Sequence, residues 1–192
     1  MLLQNIVDNI RTDKGTTHDY LGLYQKLLSP LQYQAKNVLE VGVWMGGSIK
    51  MWRDFFLNAT VYGIDNLRFE QMDLEDCVTK DNRIILKTGV DAYDEEIVKT
   101  HFLNVGIKFD FMLDDGPHTL ESMIKFIKLY SSLLSDVGIL IIEDIPDMSW
   151  TEILHEHVPE HLKSHCHIYD LRQNKNQYND IVFVINKNIL DY

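Results

Sequence analysis

The sequence has little of what would direct it to an oxidising or a membrane environment. Its two cysteines, Cys77 and Cys166, are far apart and lack metal-type spacing, which indicates a reducing compartment or no redox role. No apolar run approaches the roughly 18 residues of a membrane span. Residues 1–6 lack the basic start of a secretory signal. We therefore expect a cytoplasmic protein with no membrane partner.

Positive charge is also scarce. The chain has 18 Lys and Arg against 29 Asp and Glu, a net charge of −11, and its basic residues do not cluster strongly. Because nucleic acids and anionic membranes favour a basic face, we expect neither as a partner. The length of 192 residues, with 45% hydrophobic residues, predicts one domain in which residues 1–35 form N-terminal helices and a lid segment. The sequence does not decide whether the chain forms a homo-oligomer.

What the chain does contain is a glycine-rich stretch, residues 38–48, that predicts a buried strand, a turn and a helix start. The order Glu40-x-Gly42-x-x-x-Gly46 lacks the second glycine of the dinucleotide motif G-x-G-x-x-G. It resembles the first motif of class I S-adenosylmethionine (SAM) methyltransferases, in which glycine lets the main chain approach the ligand closely. Ser48 is predicted to cap the helix and to belong to the same cofactor site. A turn without a ligand is the alternative.

Two further acids follow the next strands. Asp65 ends the second strand, where a carboxylate offers two acceptors to the neighbouring hydroxyls of a ribose. Asp91 lies in the loop after the third strand, where enzymes of this fold class contact adenine. Both are predicted to bind the cofactor. The alternatives are capping roles, for Asp91 at a helix that begins at Tyr93.

Apolar strands alternate with helices along the chain. The predicted strands are residues 38–41, 60–65, 83–86, 109–113, 138–142, 167–171 and 181–185. Helices are expected in residues 1–10 and 66–82. A third helix is expected from Leu21, with Tyr24, Leu27 and Leu28 on its apolar face. A fourth is expected after Thr119, and its inner face would carry Leu120, Ile124, Ile127 and Leu134. This order predicts an α/β fold of the Rossmann-like class I methyltransferase type, a mostly parallel seven-stranded sheet with an antiparallel terminal strand.

Acidic side chains follow two of these strands. Asp115 comes after the fourth strand, and Glu143 and Asp144 come after the fifth. Carboxyl ends of parallel strands share one sheet edge, so these acids should converge where little positive charge is evident. A divalent cation on all-oxygen ligands, Mg²⁺ or else Mn²⁺ or Ca²⁺, would resolve their repulsion. His118, three residues past Asp115, suits a general base. Helix caps and solvated acids are the alternative.

Two polar segments carry weaker candidates. Residues 11–20 are either a surface loop, which composition alone favours, or a lid that turns side chains toward the cofactor cleft. The lid candidates are Lys14, His18 and Tyr20. In the loop between the last strands, Arg172, Lys175 and Tyr178 are candidates for acceptor contacts, with a solvated hairpin as the alternative. A histidine group (His155, His157, His161, His165 and His167) lacks a zinc-like partner set and predicts a solvated helix face.

Together these residues resemble the metal-dependent sugar O-methyltransferases typified by macrocin O-methyltransferase. The resemblance rests on Thr12-Asp13-Lys14-Gly15 with His18 and Tyr20, on Glu40 through Ser48, on Asp65, on Asp114-Asp115-Gly116-Pro117-His118, and on Glu143-Asp144. It implies that Asp115, Glu143 and Asp144 bind Mg²⁺ and that His118 is the base. It also implies that the segment with Lys14 closes over the cofactor. Asp114 and Lys14 join the cofactor-binding candidates.

The resemblance implies a SAM- and divalent-metal-dependent enzyme that methylates a hydroxyl of a sugar or glycan, a small-molecule acceptor. The sequence departs from the family pattern at Pro117, where Ser is frequent, and at Gly89-Val90-Asp91, where Gly-Asp is usual. A catechol or phenol O-methyltransferase and a non-catalytic SAM-fold binding module are the alternatives.

Overall fold

A computed structural model describes residues 1–188 of the chain. Its centre is one seven-stranded sheet with the order β3-β2-β1-β4-β5-β7-β6. The strands are β1 (Asn37–Val41), β2 (Thr60–Asp65), β3 (Ile84–Thr88), β4 (Phe109–Asp114), β5 (Leu134–Ile142), β6 (Cys166–Asp170) and β7 (Ile181–Asn186). Strands β1 to β5 pair in parallel, and β7 is antiparallel to both of its neighbours. The predicted sheet is therefore confirmed, including its antiparallel terminal strand.

Helices connect the strands and cover the sheet. They are α1 (Leu21–Leu28), α2 (Gly47–Phe55), α3 (Asp76–Thr79), α4 (Glu95–Val98), α5 (Leu120–Tyr130), α6 (Trp150–His157) and α7 (Arg172–Lys175). A π-helical turn spans Lys99–Leu103, and 3₁₀ turns span Leu3–Asn5, Ser29–Leu31, Phe69–Gln71, Ser131–Leu133 and Glu160–His165. Across residues 1–188, no helix combines the length and apolar character that crossing a membrane requires.

Several local predictions were wrong. Residues 1–10 contain only a 3₁₀ turn, and residues 66–82 contain two short helical turns instead of one helix. Leu134 begins β5 and does not extend the inner face of α5. Ser48 lies inside α2, whose N-cap is Gly46. In residues 1–10 and 66–82, turn hydrogen bonds such as that from the Gln71 amide to the Arg68 carbonyl replace the expected helix. The N-cap of α2 instead lies two residues before the predicted cap at Ser48.

The two faces of the sheet carry separate cores because side chains alternate along each strand. Val38 and Phe111 point to the layer formed with α1 and α2, which also contains Trp52. Leu39 and Met112 point to the opposite layer, formed with α5 and α6. Burial on both faces explains why the central strands are near-continuous apolar runs.

Strand register sets the position of the loops that follow β1, β4 and β5. Val41 lies opposite Asp114, and Asp114 lies opposite Ile142. The amide of Asp115 then donates to the carbonyl of Val41 at 2.9 Å. Residues just after these strands therefore meet at one edge of the sheet, as the sequence predicted.

Phe111→Ala should test the core beneath this edge. The Phe111 ring is fully buried, with its centroid 5.0 Å from that of Trp52. The cavity should lower the free energy of unfolding by about 3–5 kcal/mol, measured by urea denaturation. Val105→Ala, at a side chain that is 65% exposed, should change it by less than about 0.5 kcal/mol. Equal losses in the two variants would contradict this packing.

Candidate active site

A cleft of about 750 Å³ opens at the carboxyl edge of the sheet. Its walls come from the loops after β1, β2, β3, β4 and β5 and from the N-terminal segment. Among the predicted site residues, the cleft is lined by Gly42, Ser48, Asp65, Asp91, Asp115, His118 and Asp144. Lys14, Glu40, Gly46 and Asp114 are buried and do not line the cleft. The structure thus brings most of the predicted site together, in two layers.

The glycine turn is shaped by contacts within the chain as well as by the cleft. Gly42 has a φ of +90°, and a Cβ there would lie 2.0 Å from the carbonyl oxygen of Asp115. A Cβ on Gly47 would lie 2.5 Å from the backbone of Arg11. The missing side chains let the turn after β1 contact the loop after β4 and the N-terminal segment directly.

Asp65 fixes this turn from below. One of its carboxylate oxygens accepts the amides of Val43 at 2.8 Å and Trp44 at 3.1 Å, and the other accepts the amide of Leu67. Asp91 also lines the cleft, but its carboxylate accepts the amide of Tyr93 at 2.8 Å, while Asp94 caps α4. Both acids therefore organise backbone beside the cleft.

Lys14 occupies the centre of the acidic edge. Its ammonium lies 2.5 Å from Asp115 Oδ2, 2.5 Å from Glu143 Oε1 and 3.5 Å from Glu40 Oε1, and the side chain is 1% exposed. Burial alone would lower the pKa of Lys14, but these carboxylates outweigh it and raise that pKa well above its usual value. The expectation of little local positive charge was wrong, because a lysine that is distant in sequence folds into the cluster.

Glu143 is enclosed in this layer. Its second carboxylate oxygen accepts the hydroxyl of Tyr24, a residue predicted only as helix core. Burial and the neighbouring Asp115 raise the pKa of Glu143, against the opposing effect of Lys14. Both oxygens of this predicted metal ligand are thus engaged by other side chains.

Asp115 and Asp144 each divide their oxygens between the two layers. Asp115 Oδ2 contacts Lys14, while Asp144 Oδ1 accepts the hydroxyl of Tyr20 at 2.5 Å. The other oxygens, Asp115 Oδ1 and Asp144 Oδ2, each lie 3.7 Å from His118 Nε2. Ligand atoms of Asp115, His118 and Asp144 lie within 4.8 Å of one another. Two carboxylate oxygens and an imidazole therefore face the cleft together.

Backbone strain is concentrated at the cleft. Within residues 1–188, positive φ outside glycine occurs at Trp44 (48°), His118 (51°), Asp144 (57°) and Asn176 (56°), and the first three line the cleft. Such residues cost about 1–3 kcal/mol each and persist where the surrounding structure imposes them. The fold therefore imposes an uncommon backbone conformation on His118 and Asp144.

Residues 11–20 form a loop that is only partly exposed, so the composition-based expectation of a surface loop was wrong for its candidate residues. Lys14, His18 and Tyr20 are all buried against the acidic edge. His18 stacks on Tyr20, and its Nδ1 lies 2.5 Å from Asp180 Oδ1. Asp180, a fully buried acid just before β7, was missed because nothing in the sequence marks it apart from loop residues.

The hairpin loop between β6 and β7 contacts this segment and not the cleft. Lys175 donates to the backbone carbonyls of Gly15, Thr16 and His18, and Arg172 pairs with Asp170. Tyr178 is 72% exposed. No histidine between residues 155 and 167 belongs to a metal-type cluster in the described part of the chain.

Curated relatives with similar sequences are sugar O-methyltransferases by name. Mycinamicin VI 2''-O-methyltransferase of Micromonospora griseorubida is 28% identical over 144 residues, 71% of this chain and 34% of the relative. Demethylmacrocin O-methyltransferase of Streptomyces fradiae is 25% identical over 71% of this chain and 34% of the relative. The chain resembles the macrocin-type O-methyltransferases. This resemblance, predicted from the sequence, is confirmed, although the chain spans about a third of the length of these relatives.

Solved structures agree on the fold. The MycE methyltransferase in complex with Mg and SAH superimposes with a TM-score of 0.74 at 20% identity, covering 97% of this chain and 53% of MycE. An O-methyltransferase from Bacillus cereus in complex with SAH gives 0.59 at 13% identity, covering 85% and 79%. No protein-family profile matches the chain. The class I methyltransferase fold is therefore shown by structure.

Gly42→Ala should damage the cleft and the fold together. Its Cβ would meet the Asp115 carbonyl, and its backbone would be strained, so the free energy of unfolding should fall by more than about 1 kcal/mol. Gly22→Ala, in α1 with nothing within 4 Å of the new Cβ, should instead stabilise by about 0.5–1 kcal/mol. Urea denaturation compares the two variants. Stabilisation of Gly42→Ala would refute the close contact.

Glu40→Gln should flatten the pH dependence of stability. Burial raises the pKa of Glu40 from 4.5 to about 7 even beside Lys14. Between these values the folded protein holds a proton that the unfolded chain releases, so the wild type should lose stability as the pH rises. Urea denaturation at several pH values in chelator would measure the slope. The exposed Glu70→Gln is the control, and a Glu40→Gln slope equal to that of the wild type would oppose this assignment.

Proposed function

We propose that this protein is a cytoplasmic O-methyltransferase that uses SAM and a divalent cation to methylate a hydroxyl of a sugar or glycan. The observation that carries the proposal is the pair of carboxylate oxygens, from Asp115 and Asp144, that faces His118 inside the cleft. The names of the curated relatives support the sugar as acceptor. Two free cysteines support the cytoplasmic setting.

The cleft suits SAM in size and in lining. About 750 Å³ lies within the usual range of small-molecule sites. Gly42, Ser48, Asp65 and Asp91 would contact the cofactor, since each lines the cleft. Glu40 and Gly46 would act from behind, by supporting the turn. MycE was solved with SAH, the demethylated form of SAM, which supports this assignment.

The donor set suits a divalent cation. Carboxylate oxygens are the ligands that Mg²⁺ and Mn²⁺ prefer. Asp115 and Asp144 would hold the ion through the oxygens that Lys14 and Tyr20 leave free. Glu143, whose oxygens are engaged by Lys14 and Tyr24, would support the site from the inner layer. MycE was solved with Mg, which favours magnesium.

His118 would act as the general base. Its side chain is 35% exposed, and its Nε2 faces the space between the two carboxylates, so it can take the proton of an acceptor hydroxyl there. When bound, SAM supplies the methyl group and the cation supplies a Lewis acid that lowers the hydroxyl pKa. His118 has a left-handed backbone conformation in the loop after β4, which lines the cleft.

A catechol or another phenol is the second candidate acceptor, because two free carboxylate oxygens also suit a ligand with adjacent hydroxyls. Purified protein with Mg²⁺ and methyl-labelled SAM should transfer label to glycosides. EDTA should stop transfer while SAH still binds. Transfer to catechols alone would select the second candidate, and no SAM consumption with any acceptor would favour a binding module.

His118→Ala should lower turnover by about 10²–10⁴-fold, because it removes the base. Affinity for SAH should stay unchanged, because His118 is not among the proposed cofactor contacts Gly42, Ser48, Asp65 and Asp91. His155→Ala, at an exposed histidine of α6, is the matched control and should keep full activity. Turnover of His118→Ala near that of the control would remove His118 from the mechanism.

A further inference from the structure

The loop between β6 and β7 is hydrogen-bonded to the N-terminal segment through one lysine. Lys175 Nζ lies 2.7 Å from the carbonyl oxygen of Gly15, 2.8 Å from that of Thr16 and 2.9 Å from that of His18. An ammonium has three donors, and all three are used here on one short stretch of backbone. Asn176 turns the chain into the left-handed conformation directly after Lys175 and ends α7. Three hydrogen bonds from one ammonium thus connect the hairpin to residues 15–18.

Two more contacts join the same pieces. Asn174 Nδ2 donates to Asp19 Oδ2 at 2.8 Å. Asp180, at the far end of the loop, accepts from His18 and from the Tyr20 hydroxyl, the latter at 3.1 Å. The hairpin thus holds residues 15–20 from both of its ends.

The held segment determines which carboxylate oxygens face the cleft. Lys14 takes one oxygen of Asp115, and Tyr20 takes one oxygen of Asp144. The remaining oxygen of each acid is turned toward His118. If the segment moved away, both carboxylates would be free to rotate, and the two oxygens would no longer be fixed as a pair.

We propose that Lys175 is a positioning residue for the cation site: by holding residues 15–18, it keeps Lys14 and Tyr20 on Asp115 and Asp144. This inference rests on the proposed function, because it assigns the paired oxygens to a divalent cation. Lys175 itself touches neither the cleft nor any of these carboxylates. Its effect is to preorganise ligands that other residues supply, in the way that outer contacts tune metal sites.

Residues 11–13, at the start of the N-terminal segment, are held by contacts that do not involve Lys175. Arg11 donates to the carbonyl of Asp73 at 2.5 Å and pairs with Glu75, and its backbone fills the space beside Gly47. Residues 11–13, which line the cleft, are held by these contacts. Loss of Lys175 should therefore loosen the cation site while leaving the cofactor site in place.

The test is Lys175→Met in the full chain, with Arg172→Met as the matched control on the same short helix. Arg172 pairs with Asp170 of its own hairpin and does not touch the N-terminal segment. Titration with Mn²⁺ alone, followed by electron paramagnetic resonance, measures cation affinity, and calorimetry measures SAH affinity. Lys175→Met should bind Mn²⁺ about tenfold more weakly, with SAH affinity unchanged, and amides of residues 13–20 should exchange hydrogen faster. Arg172→Met should match the wild type in all three.

The outcomes separate the two levels of the proposal. A wild-type protein that does not bind Mn²⁺ would overturn the cation part of the proposed function, and the role of Lys175 with it. Wild-type binding that Lys175→Met retains would overturn the role of Lys175 alone. Equal loss of Mn²⁺ and SAH affinity in Lys175→Met would show general loosening and would also overturn it. Lys175 is exposed, so a thermal melt near that of the wild type is expected for both variants.

Discussion

The candidate site depends on one buried ammonium among carboxylates. Lys14 lies within 3.5 Å of Glu40, Asp115 and Glu143, and without it these acids would repel one another in a poorly solvated space. Removing one partner of a buried ion pair typically costs about 3–5 kcal/mol, because the remaining charge is uncompensated. The lysine comes from a segment more than a hundred residues away from Asp115 in sequence. The charge balance of the site therefore depends on the tertiary fold, which brings Lys14 to these acids.

The parallel sheet and the N-terminal segment contribute different things to the site. Register alone brings the residues after β4 and β5 to one edge. It does not decide which oxygen of each carboxylate faces the cleft. That choice is made by Lys14 and Tyr20, which contact one oxygen of each acid and leave the other beside His118. The result is a protected inner layer and an accessible outer layer within the same acidic cluster.

The sheet was predictable because the patterns that mark its strands are local in the sequence. Apolar runs mark β1, β2, β4, β5 and β7, and acids directly after strands mark the carboxyl edge. The glycine turn was also predicted, but the explanation by close approach to a ligand was incomplete. Gly42 is also needed because a side chain there would meet the Asp115 carbonyl. Lys14 was a cofactor-binding candidate, but its ion pairs with Asp115 and Glu143 were not predicted. The contact of Tyr24 with Glu143 and the burial of Asp180 were not predicted either. Each depends on a long-range contact of a polar loop or a helix face, which periodicity does not reveal.

The most direct measurement is a crystal structure with SAH and Mn²⁺, in which anomalous scattering locates the ion. We predict a peak between Asp115 Oδ1 and Asp144 Oδ2, beside His118, with SAH along the turn after β1 and with Lys14 still on Asp115 and Glu143. An ion bound away from these two oxygens, or SAH outside the cleft, would contradict the proposed site and leave only the fold.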